Sequence, residues 1–363
     1  MSKALALVLV LVFLTASSTI VALPVSGVTA GENTWVGKAQ MHVARSGLGV
    51  AVVNGKIYAI GGSSVTGTSP YAGGFVGTNE EYDPEMDKWT VKASMPTPRA
   101  NFRVEVVENK IFCIGGDKEN GTDTQANEVY DPLTDTWQTR APLPTLRDSF
   151  STIVYNNRIY VIGGVAGFNP VTANRGTYTG TTEVYDPSLD TWETKASMLN
   201  AVYPESSTAI NGKIYVICGS TTYASSVSVT AVYDVATNKW TNKESMPFVK
   251  HGASVAIDGK IYFIGGSYED GVFVTLLQIY DPLTDTWSQG ARPPQGGVSQ
   301  RSAFTTTGEM SPRRIYVVDG NLRVYDPARN EWTLGPNRTT DSYFMGVAIL
   351  KDRVYAIGGL TEK

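Results

Sequence analysis

One spacing recurs down this chain and restricts it to a repetitive fold: a Tyr-Asp pair with a Trp seven residues after the Tyr. It stands at Tyr82/Trp89, Tyr130/Trp137, Tyr185/Trp192, Tyr233/Trp240, Tyr280/Trp287 and Tyr325/Trp332. A seventh Trp, Trp35, stands alone near the start. The interval from each Trp to the next glycine pair is nearly fixed. It is 26 residues from Trp35 to Gly61, Trp89 to Gly115, Trp137 to Gly163 and Trp332 to Gly358, and also from Trp192 to Cys218, where Cys stands in for the first Gly. It is 25 from Trp240 to Gly265 and 32 from Trp287 to Asp319. A period of about 50 residues means a propeller or a solenoid. Such self-similarity overrides the two-domain reading that 363 residues would otherwise suggest.

Within one unit, residues 99–139, four short β-prone stretches follow one another. Residues 101–107 predict a first strand, Glu108-Asn109-Lys110 a tight turn and residues 111–114 a second strand. Counterparts of that turn are Asn54-Gly55-Lys56, Asn156-Asn157-Arg158, Asn211-Gly212-Lys213, Asp258-Gly259-Lys260 and Lys351-Asp352-Arg353. Asn, Asp and Gly tolerate the positive φ that a two-residue hairpin demands. The second strand ends in the glycine pair, where missing Cβ atoms allow close backbone approach. A loop of variable length leads to a third strand ending at Tyr130-Asp131. Asp-Pro makes the next turn, and Trp137 opens a fourth strand. Blades of this kind must bury both faces, and the Trp and Tyr at fixed places supply that packing. The expected class is therefore all-β: a β-propeller of four-stranded antiparallel blades.

The elements Ile114-Gly115-Gly116, Glu128-Val129-Tyr130-Asp131-Pro132, Trp137 and Met95-Pro96-x-x-Arg99 resemble the kelch repeat, and the likeness covers about residues 35–359. Complete units begin near Arg45, Arg99, Arg147, Val202, Lys250 and Arg301, which makes six blades. Residues 344–350 and 354–357 supply two further strands, and Trp35 marks a fourth strand without its first three. Joining the two ends makes a seventh blade that lacks an obvious third strand. The resemblance implies closure by a strand borrowed from the opposite terminus, so seven blades are expected, with six as the alternative. The sixth unit departs from the pattern: Asp319-Gly320 replaces Gly-Gly and runs almost directly into the third strand.

Charge is nearly balanced, with 30 Lys and Arg against 34 Asp and Glu and a net charge of −4. Nothing in that balance points to nucleic acid. The N-terminus is different: Lys3, an apolar run over residues 4–14, and no further charge until Glu32. This reads as a secretory signal over residues 1–30, cleaved after Ala22 or Ala30. An uncleaved anchor is the alternative, since a bilayer needs roughly 20 apolar residues. Either way residues 31–363 form a propeller delivered outside the cytoplasm, secreted or N-terminally anchored, and any membrane contact would run through that segment alone. Cys113 and Cys218 sit two repeats apart, too far for a disulfide, and read as small buried side chains. Asn120-Gly121-Thr122 and Asn337-Arg338-Thr339 fit the N-glycosylation pattern.

In an up-and-down blade the links between blades and the loops joining strands two and three emerge on one face. The variable loops 63–79, 117–127, 165–181, 220–229 and 267–275 gather there, carrying Tyr71, Phe75, Phe168, Tyr178, Tyr223, Tyr268 and Phe273 among Gly, Ser and Thr. Variable loops on a rigid scaffold present binding residues, and aromatics among small polar groups suit sugar rings or peptide side chains. At the first-strand entrances stand Arg45, Arg99, Arg147, Lys250 and Arg301. Ringing the channel mouth, they would favour a carboxylate ligand. The resemblance carries that role from acidic-peptide-binding kelch domains onto Arg45, Arg99, Arg147 and Arg301. The competing reading makes each Arg a clamp on an internal carbonyl or carboxylate.

The function expected is an exported, non-enzymatic binding protein that recognises an acidic protein segment or glycan on this face. The alternative is a sugar-modifying enzyme similar to a periplasmic sialic-acid mutarotase, using Asp148, Glu205 or Asp341 for proton transfer. A copper radical oxidase is excluded because only His42 and His251 are present and neither lies beside a Tyr. No Ser-His-Asp spacing, metal cluster or phosphate loop is visible, so no cofactor is expected.

Overall fold

The computed structural model describes residues 8–12, 34–64, 74–119, 121–169, 174–222, 225–247, 252–265, 276–294, 303–305, 313–319, 321–337, 342–343 and 345–361. Among these there is no helix, and seven four-stranded sheets form. The second shows the plan: Arg103–Val107, Lys110–Ile114, Asn127–Asp131 and Thr136–Thr139 pair in that order, each antiparallel to the last. The same order holds for Gly49–Val53, Lys56–Ile60, Asn79–Asp83 and Lys88–Lys92 in the first sheet.

The hairpin turns form for the reason the sequence suggests. Asn54 and Gly55 have φ of 50° and 74°, Asn156 and Asn157 50° and 57°, and Lys351 and Asp352 50° and 56°. Positive φ at both central residues matches the twist of the flanking strands. Even Glu108, at φ 50°, accepts it beside Asn109. The glycine pair serves the other end of the second strand. A Cβ on Gly116, at φ 96°, would lie 2.6 Å from the Ala100 carbonyl oxygen.

First strands of neighbouring sheets touch in sequence, from Gly346–Leu350 through Gly49–Val53, Arg103–Val107, Ser151–Tyr155, Tyr203–Ile210 and Ala253–Ile257 to Ala303–Thr305. The outer Thr34–Lys38 meets Glu331–Asn337 on the far side. The core accordingly lies between blades. One apolar cluster joins Ala51, Val53, Tyr58 and Ile60 of the first sheet to Phe102, Ile111, Cys113 and Tyr130 of the second. Burial pushes the Cys113 thiol up to about 12, which fits an inert packing residue; the Cys218 side chain lies outside the described residues.

Three sheets depart from the common plan, the sixth as expected. In the fourth sheet, Lys213–Thr222 and Ser225–Asp234 pair as one long hairpin with register shifts near Ile217/Gly219 and Ser220/Thr222. With Cys218 in place of a glycine, the strand runs on where other blades open a loop, so the loop expected at 220–229 is mostly strand. In the sixth, only Gly320 separates Ile315–Asp319 from Asn321–Asp326. In the seventh, the two chain ends meet as expected, but Val8–Val12 occupies the third position, parallel to both Arg353–Ile357 and Thr34–Lys38. These residues belong to the apolar run read as a signal core. A single mature molecule cannot both lose that run and keep it in the sheet.

Candidate functional site

The arginines expected at the channel mouth are elsewhere. Arg45, Arg99 and Arg147 are fully buried, and each reaches the glutamate of the third strand in its own unit. Arg45 donates to Glu80 at 3.0 Å and to the carbonyls of Thr78 and Ala59 at 2.6 and 3.0 Å. Arg99 pairs with Glu128 and donates to the carbonyls of Thr97 and Cys113 at 3.0 and 2.8 Å. Arg147 pairs with Glu183 and donates to the Val161 carbonyl at 3.2 Å. Arg99 and Arg147 also lie over the rings of Phe102 and Phe150. A guanidinium so enclosed cannot meet a ligand, because it has no exposed surface and its terminal nitrogens are held by a glutamate and carbonyls; only Nε is left without a partner. The clamp reading replaces the ligand-site reading for these three. Lys250 and Arg301 lie outside the described residues.

The glutamates carry the signal that sequence reading passed over. The Glu that stands two residues before Tyr in the third strand is the partner of the entrance Arg in blades one to three, and blade four changes both. Where Val202 replaces Arg, Ala231 replaces Glu, and both join one apolar cluster. Buried ion pairs and apolar pairs of this kind are interchangeable in stability terms.

The Tyr-Asp-x5-Trp spacing is equally structural. Tyr130 donates to Asp135 at 2.7 Å, and Asp135 also accepts the backbone amide of Ala93 in the preceding blade at 2.8 Å. Trp137 Nε1 donates to the carbonyl of that same Ala93 at 2.7 Å. The latch repeats with Tyr82, Asp87 and Trp89 on Ala39, and with Tyr185, Asp190 and Trp192 on Ala141. Asn238 and Asn330 take the Asp place in two further blades. The Asp or Asn must hold positive φ to present its oxygen both ways, and each does so at 49° to 54°. Burial alone would raise Asp135, but hydrogen bonds from Tyr130 and the Ala93 amide outweigh it and hold the carboxyl below its ordinary value.

What remains for function is a second tier on the face where the blades are entered. Arg45–Ser46 pairs with Ser63–Ser64, Ala100 bridges Asp117, Arg147–Asp148 pairs with Val165 and Ala166, and Ser342–Tyr343 pairs with Leu360–Thr361. Entrances and strand two-to-three connections thus share one face, as the strand order requires. Tyr178 is half-buried there, paired with Val165. The backbone of Phe168 lies in the same small sheet, while its side chain and all of Tyr71, Tyr223 and Tyr268 fall outside the described residues. Asn120 does so too.

Three carboxylates that sequence reading did not group meet on this tier. Asp117, Asp123 and Asp148 each place an oxygen within 4.8 Å of the others. Asp117 and Asp123 bridge each other in blade two, and Asp148 opens blade three. Asp117 accepts from Asn101 Nδ2 at 2.7 Å. Asp123 is 6 % exposed, and neither of its oxygens has a hydrogen-bond partner. Burial and the neighbouring Asp148 and Asp117 push Asp123 up to about 7; burial and Asp117 push Asp148 up to about 6. The sequence clue was the dense acidic loop 117–123, found in one blade only.

Comparison with known proteins agrees with this geometry. The KLHDC2/KLHL20/DRC7 Kelch-repeats domain matches residues 47–249, more than half of the chain, and the Kelch motif matches 250–294. The chain belongs to the kelch-repeat family. Kelch-like protein 15 of Danio rerio is 37% identical over 89 residues, which is 24% of this chain and 15% of that protein. The influenza virus NS1A-binding protein homolog of Xenopus laevis is 41% identical over 83 residues, 23% of this chain and 12% of that one. The matched segment therefore spans a small part of these curated relatives. The solved structure of YjhT superposes with a TM-score of 0.57 at 17% identity, covering 82% of this chain and 99% of that one, which is a likeness of fold. The kelch repeat accounts for clamp and latch. It does not require the three aspartates, because blades one and three put Ser46, Ser63 and Phe75, or Val165 and Tyr178, at matching places.

Proposed function

We propose that this kelch propeller is an exported, non-enzymatic protein-interaction module that binds through the tier of entrances and strand two-to-three connections. One observation supports it most: the polar groups that recur from blade to blade are tied to partners inside the ring, while residues on the tier differ among the blades where it is described. A rigid ring with a variable face is how repeated scaffolds present binding surface. The acidic preference rested on the arginine mouth, and with Arg45, Arg99 and Arg147 enclosed it loses its support. The partner is a protein segment or glycan without that restriction.

The mutarotase-like alternative loses the same anchor, since Arg45, Arg99 and Arg147, the described arginines expected to hold a sugar carboxylate, are enclosed. Following sialic-acid anomers by NMR with the purified protein tests it; the proposal expects no acceleration. The binding face is tested by photo-crosslinking side chains introduced at Tyr178 and, on the opposite turns, at Leu133, which is 91% exposed. Repeated capture of the same partner from Tyr178 and none from Leu133 is expected. Equal capture from both positions would discard the assigned face.

A further inference from the structure

We infer that Asp117, Asp123 and Asp148 form a binding site for one hard divalent cation of the calcium class, pinning blade two to blade three at the rim of the propeller. Size comes first. Three oxygens that all lie within 4.8 Å of one another can share a centre no more than about 2.8 Å away, a span that accommodates the roughly 2.3–2.6 Å of Ca2+–oxygen contacts. They supply three of the roughly six to eight ligands that Ca2+ takes, the rest being backbone oxygens and water. Mg2+ demands about 2.0–2.1 Å and near-octahedral geometry, a stricter fit for carboxylates drawn from two separate blades.

Charge points the same way. Among the described residues no Lys or Arg forms an ion pair with any of the three, and the adjacent Arg147 is turned inward onto Glu183. Asp123 is the decisive group. It is more than nine-tenths buried with both oxygens unpartnered, and one oxygen of Asp148 is also unpartnered. A buried carboxylate with no donor is costly unless it is paired or coordinates a metal.

The repeat supplies an internal control. Asp117 and Asp123 occupy the places of Ser63 and Phe75 in blade one and of Val165 and Tyr178 in blade three. Asp148 occupies the place of Ser46 and Ala100. The fold closes with neutral residues at each of these places, so three adjoining carboxylates are an addition to the scaffold. Their mutual repulsion is relieved by a cation held among them. This site does not rest on the proposed binding of a partner.

The test is calorimetric titration of CaCl2, and separately MgCl2, into the full chain stripped with chelator, with melting followed in parallel. The expected result is one Ca2+ bound per chain, weaker Mg2+ binding and a higher melting temperature in Ca2+. Asp123→Asn and Asp148→Asn should each bind Ca2+ at least about ten-fold more weakly, since even groups that merely support a ligand cost that much. Asp131→Asn, at the end of the third strand of blade two and paired with Lys110, should bind as wild type. No Ca2+ uptake by the wild-type chain at millimolar concentration overturns the site, whatever the variants do. So does uptake by wild type that Asp148→Asn and Asp123→Asn leave unchanged.

Discussion

Arg99 and Glu128 show what a repeated residue does in this chain. Truncating one member leaves the other charged and enclosed, so Arg99→Val alone should cost about 3–5 kcal/mol in urea unfolding. Adding Glu128→Ala should recover much of that loss, because the pair would then copy Val202 and Ala231 of blade four. A double variant as unstable as the two losses summed would show that the charges do not act as a pair. The latch aspartates make a prediction about acid. Asp135 and Asp190 are held below their ordinary value of 3.8. Their folded forms therefore bind fewer protons than their unfolded forms in that range, so the stabilisation is complete above about pH 4 and is lost as pH falls. Asn238 and Asn330 make the same contacts without a charge. Asp135→Asn with Asp190→Asn should lose about 1 kcal/mol or less per site at pH 7, and the gap from wild type should narrow as pH falls below about 4. A gap that widens on acidification would contradict the latch.

At the scale of elements, the glycine pairs and hairpins make separable demands. Gly55 has positive φ with open space around it, whereas Gly116 combines φ of 96° with the nearby Ala100 carbonyl. Gly55→Ala should cost about 1 kcal/mol, the ordinary cost of left-handed backbone for a residue with Cβ. Gly116→Ala should cost clearly more, because a strained backbone adds about 1–3 kcal/mol before any displacement of the entrance strand. Equal melting temperatures for the two variants would count against the close approach. Elements of this kind were readable in advance: Asn-Gly and Asp-Gly turns, glycine pairs and Tyr/Trp spacing each have a local physical cause. The fourth sheet was less so, since loss of one glycine at Cys218 lets strands pair further than periodicity suggests. The sites were least readable. Arginine at an entrance looks alike whether it faces a channel or a glutamate, and only Glu128 across the sheet decides. Asp123 and Asp148 are far apart in the chain and meet only because blades are neighbours.

For the whole molecule, closure joins the two ends of the chain. Thr34–Lys38 and Arg353–Ile357 lie in one sheet with Val8–Val12 between them. Export with cleavage after Ala22 or Ala30 would remove that middle strand, and Trp35 would then hold the end of the ring through the packing it shares with Tyr316, Val318 and Val354. The intact mass of protein recovered outside cells should therefore lack residues 1–22 or 1–30. Recovery of the uncleaved chain would reject the signal reading and leave Val8–Val12 in the sheet. The central claim concerns where the repeated cations point, and it can be read chemically by arginine modification with phenylglyoxal, mapped by mass spectrometry on the native fold. Arg45, Arg99 and Arg147 should stay unmodified while Arg329 and Arg158, with side chains 74% and 46% exposed, react readily. Modification of the three at the rate of Arg329 would place them in an open channel and contradict the clamp.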